Sequence, residues 1–190
     1  LVGTSASTGS TTSPAGTIAS TSIAADADHF SIVTYTGNQT SGATFGHGLG
    51  GAPEMVIVKE RDPGGNNWMV GHDTMGWGKY LAWDTDAAPV TSSARWNDTA
   101  PSSTLVTLGN DTGINATGAT YVAYCFRSVP GVCSVGSYEG NNNADGTYVN
   151  LGFKPAWLMI KAEDADEWRL YDNKRSIAGD GGFNPIDRRI

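Results

Sequence analysis

A chain of 190 residues with a net charge of −7 and only 16% charged residues has no basic stripe of the kind nucleic-acid binding needs. No apolar run approaches the roughly 20 residues that cross a bilayer, and no basic stretch followed by a hydrophobic core marks a secretory signal. The 25 Gly, 6 Trp and 7 Tyr stand among Ser, Thr, Asn and Asp with few Lys, Glu or Leu, which excludes long amphipathic helices and predicts an all-β chain with helix close to absent.

Residues 1–28 are mostly Ser, Thr, Ala and Gly and contain no aromatic residue. Such a segment buries too little apolar surface to offset its ordering entropy alone. It reads as a linker, or as an extended arm that is ordered only against a neighbour. The sequence also begins at Leu1 rather than Met, which reads as an excerpt of something longer or a processed product.

From Phe30 the texture changes. FSIVTY alternates and predicts a strand ended by TGN; EMVIVK is a short apolar run between the Pro53 turn and the DPGGNN loop, as in a buried strand. NWMVGH and KYLAWDT predict further strands, followed by the loop-rich DAAPVTSSARWNDTAPSS, and TLVTLG and TYVAYCFR complete the set. In the last run Tyr121, Ala123 and Cys125 alternate with Val122, Tyr124 and Phe126. Both faces are apolar, so this strand should be central.

After SVPGV the plan restarts. Tyr138 answers Tyr35, and Gly140-Asn141 answers Gly37-Asn38, at a spacing of 103 positions. After one deletion the spacing is 102, with Pro155 answering Pro53 and Lys161 answering Lys59; two further deletions bring Trp168 opposite Trp68. The repeated residues have physical roles. Gly-Asn supplies tight-turn geometry, Pro stands ahead of a strand rather than inside its ladder, and Tyr and Trp fill a sandwich short of Leu. The expected organisation is an arm over residues 1–28, a first β-sandwich repeat over 29–129 and a truncated second repeat over 130–190, with a period of about 100 residues.

No catalytic constellation stands out. His29, His47 and His72 are the only histidines, and neither a G-x-S-x-G elbow nor an H-E-x-x-H pair occurs. FGHGLGG lacks the Lys-Ser or Lys-Thr of a phosphate loop. Asp84 with Asp86, and the acidic run from Glu163 to Glu167, offer carboxylates of the type a glycosidase needs, but they read first as solvated loops. NNNADG and GNDTG have a calcium-loop flavour without the required spacing, and read as turns. No metal or cofactor is expected. Cys125 and Cys133 flank FRSVPGV, and either pair across adjacent strands or, on the plainer reading, are two partly buried thiols. NQT, NDT (twice) and NAT match the glycosylation acceptor pattern, which matters only in a eukaryotic secretory setting. Trp77 and Trp96, the latter beside Asn97, lie near loops. They are the candidate glycan contacts, against the plainer reading that they cap the core.

The series FSIVTYTGN, GHGLGGAPEMVIVK, NWMVGHD, KYLAWDTDAA, ARWNDTAPSSTLVTLG and TYVAYCFRSVPG, restarting at GSYEGN and LGFKPAWLMIK, resembles a repeat domain of bacteriophage tail-fibre and other virion proteins, often of marine phages. The resemblance spans about residues 29 to 178; Cys133 departs from it, standing where an aromatic or polar residue is more usual. It implies an antiparallel β-sandwich related to lectin-like jelly rolls, carried at the surface of the extracellular particle, and it brings no catalytic residues.

The expected function is therefore that of a virion structural protein, a tail or capsid fibre domain that attaches to the host surface, with glycan binding as one mode. Its partners would be other virion proteins and a host receptor or glycan, without nucleic acid or membrane insertion. A homo-oligomer is expected, a trimer in a fibre. The rival expectation is a purely architectural decoration or connector domain. A polysaccharide-degrading tailspike is a remote third, requiring facing carboxylates such as Asp84 and Asp86.

Overall fold

The computed structural model describes residues 11–13, 15–25, 28–62 and 65–174. Its strands are β1 (Thr11–Ser13), β2 (Ser20–Ala24), β3 (Phe30–Thr36), β4 (Ala43–Gly46), β5 (Met55–Glu60), β6 (Met69–His72), β7 (Lys79–Ala82), β8 (Val90–Thr91), β9 (Leu105–Leu108), β10 (Thr120–Phe126), β11 (Trp157–Ile160) and β12 (Arg169–Asp172). Among the described residues helix is confined to α1 (Ser93–Trp96), α2 (Thr112–Asn115) and one 3-10 turn at Asp73–Met75. The chain is all-β with antiparallel pairing, as its composition predicts.

Eight strands form one sheet in the order β1-β2-β3-β10-β5-β6-β7-β8. β10 lies at its middle, with Ala123 opposite Val33 of β3 on one side and opposite Val58 of β5 on the other. Tyr121, Ala123 and Cys125 are fully buried, while Val122, Tyr124 and Phe126 are half-buried on the reverse face. A strand covered on both faces needs apolar residues at every position, which is what TYVAYCF supplies.

A second antiparallel pair, β4 with β9, lies over the Tyr121 face. Phe45 of β4 stacks on Tyr35 of β3 with centroids 4.7 Å apart, and Tyr35 stacks on Tyr121 at 5.2 Å. Val33, Val58, Val106, Leu108 and Ile114 complete this core. α1 and α2 close its margins through Trp96 and Ile114, both inaccessible to solvent.

The reverse face has its own apolar cluster, built from Met55, Ile57, Val70 and Leu81. The chain after β10 covers it. Trp168 sits in that cluster, with Val135 and Met159 packed alongside; its indole Nε1 donates to the Ala82 carbonyl at 3.2 Å, and its ring lies 6.3 Å from that of Trp83.

β11 and β12 form a hairpin with Trp157 opposite Asp172 and Ile160 opposite Arg169. β5 and β6 pair with Met55 opposite His72 and Val58 opposite Met69. Adding 102 to the β5 numbers and 100 to the β6 numbers turns one register into the other. The two-residue difference is the loop deletion read from the sequence.

Several elements depart from expectation. Residues 20–24, read as part of a linker or arm, form β2 against β3 of the same chain, with Ser20 and Ser22 turned inward. Residues 1–10 of that segment and 175–190 of the second repeat lie outside the described residues. The loop between β7 and β9 contains β8 and α1, and β4 has no counterpart among the expected strands. Residues 133–139, the counterpart of β3, form no strand. β3 is held between β2 and β10, whereas among the described residues no strand flanks 133–139 on either side.

Candidate interaction surfaces

Trp77 and Trp96 belong to the core. They meet edge to face at 5.7 Å, with 5% and 0% of their surface exposed, and Trp77 Nε1 donates to Asp73 Oδ1 at 3.3 Å. Gly71 of β6 makes room for them, because a Cβ there would stand 2.5 Å from Trp77 and 2.8 Å from Trp96. Neither ring offers a face on which a sugar could stack, so the expectation that they contact glycan is corrected. Asn97, half-buried at the C-cap of α1 with φ 53°, accepts from Ser41 Oγ at 2.7 Å. It fixes a loop.

The repeat markers of the first half also have structural tasks. Tyr35 donates its hydroxyl to the Ile114 carbonyl at 2.7 Å. Gly37 approaches α2 so closely that a Cβ would lie 2.3 Å from the Ala116 carbonyl oxygen. Asn38 accepts from the Thr40 amide at 2.9 Å, closing the turn. Pro53 is buried just ahead of β5. Lys59 lies over the Trp68 ring, 6.0 Å from its centroid, and donates to the Asn66 carbonyl.

In the second half Trp168 is buried, but several of the other markers are more open than their counterparts. Tyr138 is exposed, Gly140 has free space where its Cβ would be, and Asn141 Nδ2 donates to the Gly146 carbonyl at 2.7 Å. Pro155 is half-buried, and Lys161 Nζ donates to the Ala162 and Asp164 carbonyls at 2.8 Å. Asn141 and Asn143 accept from amides two residues on, so NNNADG spends these oxygens on its own turns.

Asn115, which sequence reasoning passed over except as a glycosylation acceptor, is the polar centre of the first half. It is fully buried. Its Oδ1 accepts from the Asn38 and Gln39 amides at 2.9 and 3.3 Å, and its Nδ2 donates to the Gly109 and Thr40 carbonyls at 2.7 and 3.1 Å. Every polar atom of the side chain is used, which ties three loops together and leaves no access for a glycan.

The ionisable groups are likewise tied into structure. His47 is inaccessible; its Nδ1 accepts from the Leu49 amide and its Nε2 faces the Ser102 carbonyl, both at 3.2 Å. The neutral tautomer protonated at Nε2 satisfies both contacts, and burial lowers the His47 pKa against weaker raising by the Ser102 carbonyl and by Asp28. Burial lowers that of His72 too. In the glycine-rich loop the Gly50 amide donates to both Asp28 oxygens at 2.8 and 2.9 Å, and Arg127 pairs with Asp28 at 2.6 Å. Asp84, exposed with Asp86, accepts from the Trp68 amide at 3.2 Å. Cys125 and Cys133 are both free thiols, and burial pushes that of Cys125 up to about 12. Among the described residues no three His, Cys, Asp or Glu side chains converge as a metal site would require, and no helix is long and apolar enough to cross a membrane.

Two surfaces remain. One is a shallow polar depression of about 210 Å³ beside β2, β3 and β10, lined by Thr21, Thr34, Thr36, Arg61 and Thr120. The other is an apolar stretch on the second half, where Tyr148 is 87%, Trp157 47% and Leu158 38% exposed. Their hairpin counterparts in the first half are covered: Met55, matching Trp157, is 8% exposed, and Val56, matching Leu158, is 0%.

A family model described as a domain of unknown function, DUF7483, matches residues 4–184. No curated protein and no solved structure matches the chain.

Proposed function

The chain belongs to the DUF7483 family, and we propose that it is a repeat module of a bacteriophage virion protein, a tail or capsid fibre domain that attaches to the host surface. The observation that carries this reading is the recurrence of one hairpin, in one register, at β5–β6 and β11–β12. It supports an internal repeat of about 100 residues, built on a β-sandwich whose two layers are the eight-stranded sheet and the β4–β9 pair. Repetition of a folded unit gives reach and valency, so weak contacts add up along an appendage. The resemblance of the residue series to virion repeat domains points the same way. So do the exposed aromatic residues of the second half, Tyr138, Tyr148 and Trp157. This surface, rather than the buried Trp77 and Trp96, is where a glycan or receptor would sit. In a fibre, three copies around a common axis would multiply it.

One observation favours a second reading. The residues that pair with β3 include the Ser/Thr-rich β2, so the leading segment serves sheet assembly as well as spacing. This suits a decoration or connector domain that binds only other virion proteins.

Cryo-electron microscopy of the intact particle, with copy number, separates the two. Copies at fibre tips are the expected result. Copies tiled over the capsid shell would overturn host attachment and leave the architectural role.

A further inference from the structure

We infer that the reverse face of the large sheet is a homotypic docking surface: it takes the same face of a second module, supplied within the chain by the second half and, once that half is released, by another copy of the chain. The inference rests on the repeat correspondence proposed above and goes beyond it by naming the contact through which the modules meet.

One apolar row crosses six strands on this face. Ile23 of β2 stands opposite Ile32 of β3, Ile32 opposite Tyr124 of β10, and Tyr124 opposite Ile57 of β5. The row continues with Ile57 opposite Val70 of β6 and Val70 opposite Leu81 of β7. A sheet face turned to water carries polar residues at such positions, as the neighbouring row does with Thr21 opposite Thr34. Toward β7 the apolar row is covered, with Ile57 2%, Val70 1% and Leu81 6% exposed, whereas Ile23 is 48% and Ile32 39% exposed.

The residues that cover the row are counterparts of residues that belong to this face. Val135, Met159 and Trp168 of the second half join the cluster built on Ile57, Val70 and Leu81. At the repeat spacings of 103, 102 and 100 they answer Ile32, Ile57 and Trp68. Ile32 and Ile57 lie in the row itself, and Trp68 stacks on Tyr124 with centroids 6.1 Å apart. The second half therefore meets the first with the very positions that form the face in the first. A surface that accepts its own equivalent is self-complementary, which is the condition for a twofold contact between identical copies. In the intact chain the tethered half wins, because its effective concentration is on the order of millimolar, above that of free copies.

The test uses the full chain and sedimentation equilibrium, with the mass of the unaltered chain as the reference. Trp168→Ala releases the second half, and the mass is expected to rise on concentration to twice the reference and no further. Adding Ile32→Asp, which puts a carboxylate in the open part of the row, should restore the reference mass. Adding Val90→Asp should leave the doubling intact, since Val90 is exposed and its partner Tyr80 packs on the opposite core. Should Trp168→Ala fail to fold, Met159→Asp releases the same segment with Trp168 retained. A mass that stays at the reference, association without limit, or doubling that survives Ile32→Asp overturns the proposal. So does a doubling abolished by Val90→Asp. Host attachment is decided by the position of copies on the particle, so neither result bears on it.

Discussion

Asn115 illustrates how much of this fold hangs on single polar side chains. Four hydrogen bonds radiate from it to the turn after β3 and to the end of β9. Replacement by Leu keeps the volume, and the Gln39 amide and Thr40 carbonyl retain backbone partners in Asn115 and Ala43, but the Asn38 amide and the buried Gly109 carbonyl lose theirs, and an unsatisfied buried group costs ~1–3 kcal/mol. Allowing for relaxation, Asn115→Leu is expected to lower stability by about 3 kcal/mol, measured by urea unfolding. His47 adds a pH dependence. Burial depresses its folded pKa below the ordinary 6.5, so the unfolded chain takes up the proton first as pH falls. The stability from the neutral imidazole is complete above pH 6.5 and is lost on descending through the window down to the depressed value. His72, depressed by the same cause, adds to the slope. Melting temperatures between pH 7.5 and 5 should therefore fall for the parent chain, and fall less steeply for His47→Gln.

At the level of elements, α1 is pressed onto the end of β9. A Cβ on Gly109 would lie 2.1 Å from the Ala94 carbonyl oxygen, and the Gly109 amide donates to the Arg95 carbonyl at 2.6 Å. Backbone cannot give way as a side-chain tip does. Gly109→Ala is thus expected to cost about 3 kcal/mol and lower the melting temperature by roughly 10 °C in a calorimetric scan. The strands of the large sheet were legible because alternation and apolar runs report burial directly, as in FSIVTY, EMVIVK and TYVAYCF. β4 and α1 were not legible. ATFG has a single large apolar residue and is stabilised by pairing with the remote β9 and by stacking of Phe45 on Tyr35, while SARW is a helix of one turn held by burial of Trp96. For the same reason ARWNDT leaves open whether Trp96 faces sugars or caps the core; nothing local in it reveals that Gly71 of a remote strand receives its ring. Residues 133–139 echo the residue pattern of β3 without forming a strand, since among the described residues no strand lies beside them to pair with.

Over the whole molecule, the large sheet is covered on both faces by parts of one chain. The β4–β9 layer is tied in through the connections between strands, but the hairpin on the reverse is docked through side chains, with Trp168 at the centre. Trp168→Ala removes the indole and its bond to Ala82, an exchange that typically costs ~3–5 kcal/mol for a buried Trp. Limited proteolysis is expected to cut this variant within 133–156 while residues 28–127 survive as a protected fragment. Simultaneous loss of both parts would mean that the reverse-face contact is indispensable to the sheet itself.

The same asymmetry has a mechanical side. β10 is gripped by ladders along both flanks, whereas the chain beyond it is held on the reverse face by side-chain packing around Trp168 and by the indole bond to Ala82. Pulled along the chain, the molecule would yield first at Trp168, releasing roughly 140 Å of extended backbone between Phe126 and Trp168 at about 3.3 Å per residue before any strand of the large sheet is sheared. A sheet wearing its own chain as a detachable strap behaves, under load, as an extensible joint in front of a stiff one.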